Sequence, residues 1–190
     1  MEILTIFSAF GLSASAGLNA YIPLLIIAFF ARFTNVIELS EAWDPLTSWW
    51  TIGILLVLSL VEFFADKIPA VNHINDVFQS FIRPAAGAIA FAASANVITE
   101  IHPVFSVVLG LLVAGGVHAT KSLAVRPTVT ASTGGIGNVP VSIIEDITST
   151  ILSILAIVVP VLVACILVMM TSFIIWILWR RRNRKRDLVI

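Results

Sequence analysis

Charge is what this sequence has least of. Only 12% of its 190 residues are Asp, Glu, Lys or Arg, about half the share a water-facing domain carries. Cysteine is nearly absent as well. Cys165 stands alone, which excludes an intrachain disulfide, and its place inside a long apolar run suits an inert small hydrophobe. No CxxC, HExxH, GxSxG, Walker or Rossmann pattern occurs, so soluble nucleotide chemistry and nucleic-acid recognition have no residues to work with. A cleaved leader is not expected, because the start is acidic (Met1-Glu2) and the first apolar run is too long for one.

What is present is apolar: 59% of the chain, with a mean hydropathy of +1.05. Uncharged runs cover Ile3–Ala31, Pro45–Val61, Pro84–Thr99 and Ile147–Trp179. Apolar runs of about 18 residues or more mark membrane-spanning helices. The expected fold is therefore all-α, a polytopic membrane helix bundle forming one domain over residues 1–180, with a basic cytoplasmic tail at 181–190. Trp43, Trp49 and Trp50 beside the second run mark a membrane–water interface. Residues 68–83 read as an amphipathic connection along the membrane surface, before a third span over 84–101 and a fourth over 103–125. The run Ile147–Trp179 is too long for one straight crossing, since its 33 residues rise roughly 50 Å. It must tilt, bend at Pro160 or project beyond the bilayer.

An internal repeat supports a sixth crossing. Residues 12–27 (LSASAGLNAYIPLLII) align without a gap to residues 129–144 (VTASTGGIGNVPVSII) at an offset of 117. The identical pairs are Ala14/Ala131, Ser15/Ser132, Gly17/Gly134, Pro23/Pro140, Ile26/Ile143 and Ile27/Ile144. If the first copy spans, so should the second, despite its polarity. Six crossings with both termini cytoplasmic put Lys67, Arg83, Lys121, Arg126 and the tail inside, and Glu145 and Asp146 outside, as the positive-inside rule prefers.

A polar span must be buried among helices or line water. Matched Gly/Pro interruptions point to a midplane site made from broken helices. Asn19 and Pro23 in the first copy, with Thr130, Ser132, Asn138 and Pro140 in the second, are candidates for such a site. Helices opening at Pro23 and Pro140 would offer free N–H groups to a ligand, favouring an anionic one. Gly17 and Gly134 fit either this site or close helix packing.

Ionisable residues in spans are costly and usually functional. Glu62 and Asp66 share one helix face, as do His118 and Lys121. One expectation is that Glu62 or Asp66 pairs with Lys121 and gates a cavity beneath the repeat. His118 is either a proton carrier or a hydrogen-bonded structural histidine. Glu145 is either the point where a cation or proton enters or a polar helix start. Lys67 and Arg126 are expected to be solvated at the interface.

The stretches SAGLNAYIPLL, EFFADKIP with its short His/Asn/Asp sequel, RPAAGAI and GGIGNVPVSIIED together resemble one family of small bacterial membrane proteins, domain of unknown function 4126. The resemblance covers nearly the whole chain apart from the basic tail. It implies a prokaryotic inner-membrane protein, and carries no catalytic or binding residue.

Three functional classes are open. The leading one is a small transporter or channel-like carrier with a midplane site. The second is an intramembrane lipid-modifying enzyme in which Glu62, Asp66, Asn72 and Asp76 gather a divalent metal. The third is a scaffold or assembly partner. No cofactor is expected. The partners are the lipid bilayer, a small-molecule or ion substrate and further copies of the chain in a homo-oligomer, with no nucleic acid.

Overall fold

The computed structural model describes residues 2–95 and 102–186. Among these the chain forms α1 (Glu2–Leu18), α2 (Tyr21–Phe33), α3 (Trp49–Ala65), α4 (Pro69–Ala95), α5 (Pro103–Thr120), α6 (Arg126–Thr133), α7 (Asn138–Val158) and α8 (Pro160–Arg186). A 3-10 turn (Glu41–Thr47) precedes α3, and a π turn (Lys121–Val125) joins α5 to α6. The described residues contain no strand.

Helix α1 is the hub and packs against α4, α5, α7 and α8. Small side chains make this possible, as close backbone approach is how helices associate where lipid removes a hydrophobic drive. A Cβ on Gly17 would lie 2.6 Å from Ala114 O and Val117 Cβ of α5. Gly87 of α4 and Gly110 of α5 face each other so closely that a Cβ on either would collide with the other helix. Hydroxyls reinforce the contact. Ser13 Oγ donates to Gly110 O at 2.8 Å, and Ser15 Oγ lies 2.7 Å from Ser149 O and 2.6 Å from Ser153 Oγ of α7.

Two helical stretches, Pro103–Thr133 and Asn138–Val158, are long and apolar enough to cross a membrane. A third follows if the 3-10 turn and α3, bent by 60° at Ser48, count as one span. Shorter apolar helices α1 and α2 meet at a break over residues 19–20.

Several expected boundaries move. The expected surface segment 68–83 is no separate element; from Pro69 it runs on through Pro84 as the single helix α4. Residues 129–146 form no span of their own. They divide between the end of α6, a turn over 134–137 and the first turns of α7. Gly134 (φ +62°) and Gly135 (φ +92°) make that turn, in the left-handed region glycine enters without a Cβ penalty. The long last run breaks at Val159, just before Pro160, whose missing N–H cannot continue α7. The basic run then continues α8 as far as Arg186.

Candidate functional site

The break between α1 and α2 organises the site. A helix that stops leaves carbonyls free, and one that starts leaves N–H groups free. Both sets find protein partners here. Asn19 Oδ1 accepts from the N–H groups of Tyr21 and Ile22, each at 3.1 Å. Glu62 Oε2 of α3 accepts from Ala20 N–H at 3.1 Å. Lys121 Nζ donates to Leu18 O at 3.1 Å. A carboxylate thus sits at the positive end of α2 and an ammonium at the negative end of α1, as the helix dipoles favour. Pro23 is buried in the first turn of α2, where its missing N–H costs nothing. The N–H groups expected to await an anionic ligand are already taken by Asn19 and Glu62.

Around this break four helices and the π turn bring their charges together. Arg83 of α4, fully buried, donates through Nε and Nη2 to Glu62 Oε1 at 3.2 and 2.8 Å. Its Nη2 lies 3.5 Å from Asp66 Oδ2. Arg126 Nη2 reaches the same Asp66 oxygen at 3.0 Å and Glu145 Oε2 at 3.4 Å, while Nη1 holds both oxygens of Asp76 at 3.0 Å. Lys121 pairs with Glu145 at 2.7 Å and stands 3.9 Å from Asp66. Asp146 accepts from Asn19 Nδ2 at 3.0 Å and from Lys67 Nζ at 3.1 Å. Glu62, Asp66, Arg83, Lys121, Arg126, Glu145 and Asp146 are all buried.

His118 closes the network. An arginine can only donate, so Arg83 Nη1, 3.3 Å from His118 Nδ1, requires Nδ1 to be the acceptor. The proton then sits on Nε2, which donates to Ser80 Oγ at 3.2 Å, and Ser80 passes its own to Asp76 O. His118 is thereby a neutral, hydrogen-bonded residue.

The π turn explains why Lys121 and Arg126 converge. In an α-helix residues five apart point about 140° from each other. Here Arg126 N–H bonds Lys121 O, an i→i−5 closure that stacks the two side chains over one place. Pro127 helps to impose it, lacking an N–H for a regular α turn.

Of the candidate residues, the structure brings together Asn19, Pro23, Glu62, Asp66, His118, Lys121 and Glu145. It does not bring in Thr130, Ser132, Asn138 or Pro140. Thr130, Ser132 and Pro140 are exposed. Ser132 Oγ bonds the carbonyl of Val129 within its own helix, as Thr133 does, so hydroxyls there are satisfied locally. Asn138 Nδ2 bonds Thr130 Oγ1 at 2.8 Å. Gly134 is a helix cap in open space, whereas Gly17 is a packing contact.

Of the two carboxylates expected to pair with Lys121, Asp66 does so at 3.9 Å, whereas Glu62 pairs with Arg83. Two further expectations are corrected. Arg126 is buried instead of solvated, because three carboxylates converge on it. Glu145 and Asp146, expected across the membrane from Lys67, Lys121 and Arg126, are ion-paired with them. Arg83 and Ser142, whose Oγ donates to Asp66 Oδ2 at 3.3 Å, were not among the candidates, and Asp76 was one only as a metal ligand. Asp76 and Arg83 are seven apart and so share a face of one helix, but that signal needs α4 to be continuous.

A crevice of about 670 Å³ opens between α5 and α7 beside this cluster. Val113 and Val117 of α5 with Val141 and Ile144 of α7 form its walls, and Lys121 and Glu145 lie among its lining. A separate cavity of about 490 Å³ lies between Leu4, Ser8, Glu38 and Ile157.

The four residues proposed to gather a metal do not form an open ligand set. Arg126 bridges Asp66 and Asp76, Arg83 occupies Glu62, and the side chain of Asn72 lies outside the described residues. Among the described residues no three His, Cys, Asp or Glu are grouped as metal ligands.

Fold and site together define a class: among the described residues, an all-helical protein with two or three helices long and apolar enough to cross a membrane and a charged network buried at a helix break. The chain belongs to the family described as domain of unknown function (DUF4126), whose model matches residues 6–180. No curated protein and no solved structure matches it.

Proposed function

We propose that this protein is a small membrane carrier whose substrate pathway passes the Lys121–Glu145 pair. The observation that carries this reading is a buried cluster of opposed charges, set where α1 and α2 break, beside a crevice otherwise walled by aliphatic side chains. Ionisable groups at such depth are expensive and mark substrate or ion pathways by default. Discontinuous helices whose ends face charged groups are the construction that secondary transporters use.

The repeat supports the same reading. Helices α2 and α7 begin at Tyr21 and Asn138, 117 positions apart, the offset that aligns the two segments. The crevice has Leu18 from the first copy and Val141 and Ile144 from the second in its lining. We take the two copies as a diverged duplication in which the first retains the buried polar break and the second has become a surface turn. Cytoplasmic termini, an inner-membrane location and a homo-oligomer complete the proposal.

Reconstituted vesicles test it. Labelled hydrophobic amines and hydrophobic carboxylates, offered in parallel, should include one class that exchanges across the bilayer saturably. Lys121→Met and Glu145→Gln should abolish that exchange. Exchange of both classes at the rate of protein-free vesicles would contradict a carrier.

A further inference from the structure

We propose that the α5/α7 crevice takes a lipophilic cation, an aliphatic or aromatic body carrying an ammonium or phosphonium charge, with Glu145 as its counter-ion. The carrier reading gives this site its role in the membrane, but the binding itself is a separate claim.

Two independent observations set the sign of the ligand. The first is charge balance. Among the described residues the cluster holds the carboxylates of Glu62, Asp66, Asp76, Glu145 and Asp146 against the cations Lys67, Arg83, Lys121 and Arg126. With His118 neutral, these five carboxylates and four cations leave a net charge of −1, Arg126 being shared among three of the carboxylates. Uncompensated charge is what a low-dielectric interior tolerates least, so the cluster favours one added cation.

The second is what the lining offers. Glu145 Oε2 is engaged by Lys121 and Arg126, whereas Oε1 makes no hydrogen bond to a described residue. Lys121 donates to Leu18 O at 3.1 Å and lies 2.7 Å from Glu145 Oε2, with Asp66 at 3.9 Å as a further charge partner. The Thr120 hydroxyl, also in the lining, donates to Gly116 O and so has only acceptor capacity to spare. The lining therefore has acceptor capacity to spare on Glu145 and Thr120, while Lys121 is held between Leu18 O and Glu145, and this favours positive charge. Val113, Val117, Val141 and Ile144 supply the apolar enclosure that such a cation needs to leave water.

Equilibrium binding to the purified full chain in detergent decides it, using tetraphenylphosphonium and its size-matched anion tetraphenylborate. The wild type should bind the cation saturably and the anion not at all. Glu145→Gln should weaken the cation by at least about tenfold, the scale of losing one partner of a desolvated charge pair. Gly116→Leu is the second variant: a Cβ at Gly116, which is in the lining, meets nothing within 4 Å, so the side chain fills the crevice without strain. It should weaken binding comparably even if Glu145→Gln fails to fold. Glu38→Gln, in the other cavity, should bind as the wild type does. Saturable tetraphenylborate binding, or undiminished cation binding in the folded variants, overturns the proposal. Vesicle exchange of the carboxylate probe alone would keep the carrier and remove the cation.

Discussion

Single residues here are decided by pairing. Arg83 and Glu62 have side chains with no exposure at all, so neither has water to fall back on. Removing one partner of such a pair costs far more than the pair is worth, because the other charge stays buried and alone. Arg83→Ala should lower unfolding stability by about 3–5 kcal/mol, measured as the thermal transition of the detergent-solubilised protein. A loss below about 1 kcal/mol, the range of exposed pairs, would show that Glu62 finds water or another cation. Which residues matter was legible at this scale, and why they matter was not. Glu62, Asp66, His118 and Lys121 announce themselves as charges in apolar runs. Their partners do not, since nothing local tells that Glu62 meets Arg83 21 positions away rather than Lys121.

Elements are decided by small residues and by breaks. The α4/α5 crossing rests on Gly87 and Gly110, where each backbone fills the space of the other's missing side chain. Gly110→Ala should therefore overpack the contact and cost about 1–3 kcal/mol. Gly53, on α3 with nothing within 4 Å of a Cβ, is the matched control, and Gly53→Ala should be neutral or slightly stabilising. Equal losses from the two substitutions, measured by the same thermal transition, would remove glycine packing as the basis of this crossing. Helix existence was readable from hydropathy, and the interruption near Asn19 from the repeated Gly/Asn/Pro pattern. Helix boundaries were not. The π turn at 121–125 shifts the phase of everything after it, and a sequence read at 3.6 residues per turn puts Lys121 and Arg126 on different faces. Residues 129–144 misled for a related reason: likeness to a buried segment cannot say whether the copy is itself buried.

For the whole molecule, the positive-inside rule takes charges as independent markers of side. The fold instead gathers acids and bases at one level of the bundle, near the ends of α3 and α5. Glu62 lies about 20 Å along α3 from Trp49, which stacks on Arg32 at the far end of that helix. A bundle organised in this way keeps polar groups away from lipid by burying them against each other. The central claim is the one proposed above, that a substrate passes the Lys121–Glu145 pair of this cluster.

The most direct test is the two-sided accessibility of one crevice side chain. Val113→Cys in a Cys165→Ser background is to be labelled with a membrane-impermeant maleimide in right-side-out and inside-out vesicles. A carrier predicts labelling from both sides, with tetraphenylphosphonium slowing both reactions. Protection from both sides, or labelling from one side that the ligand leaves unchanged, would contradict the account.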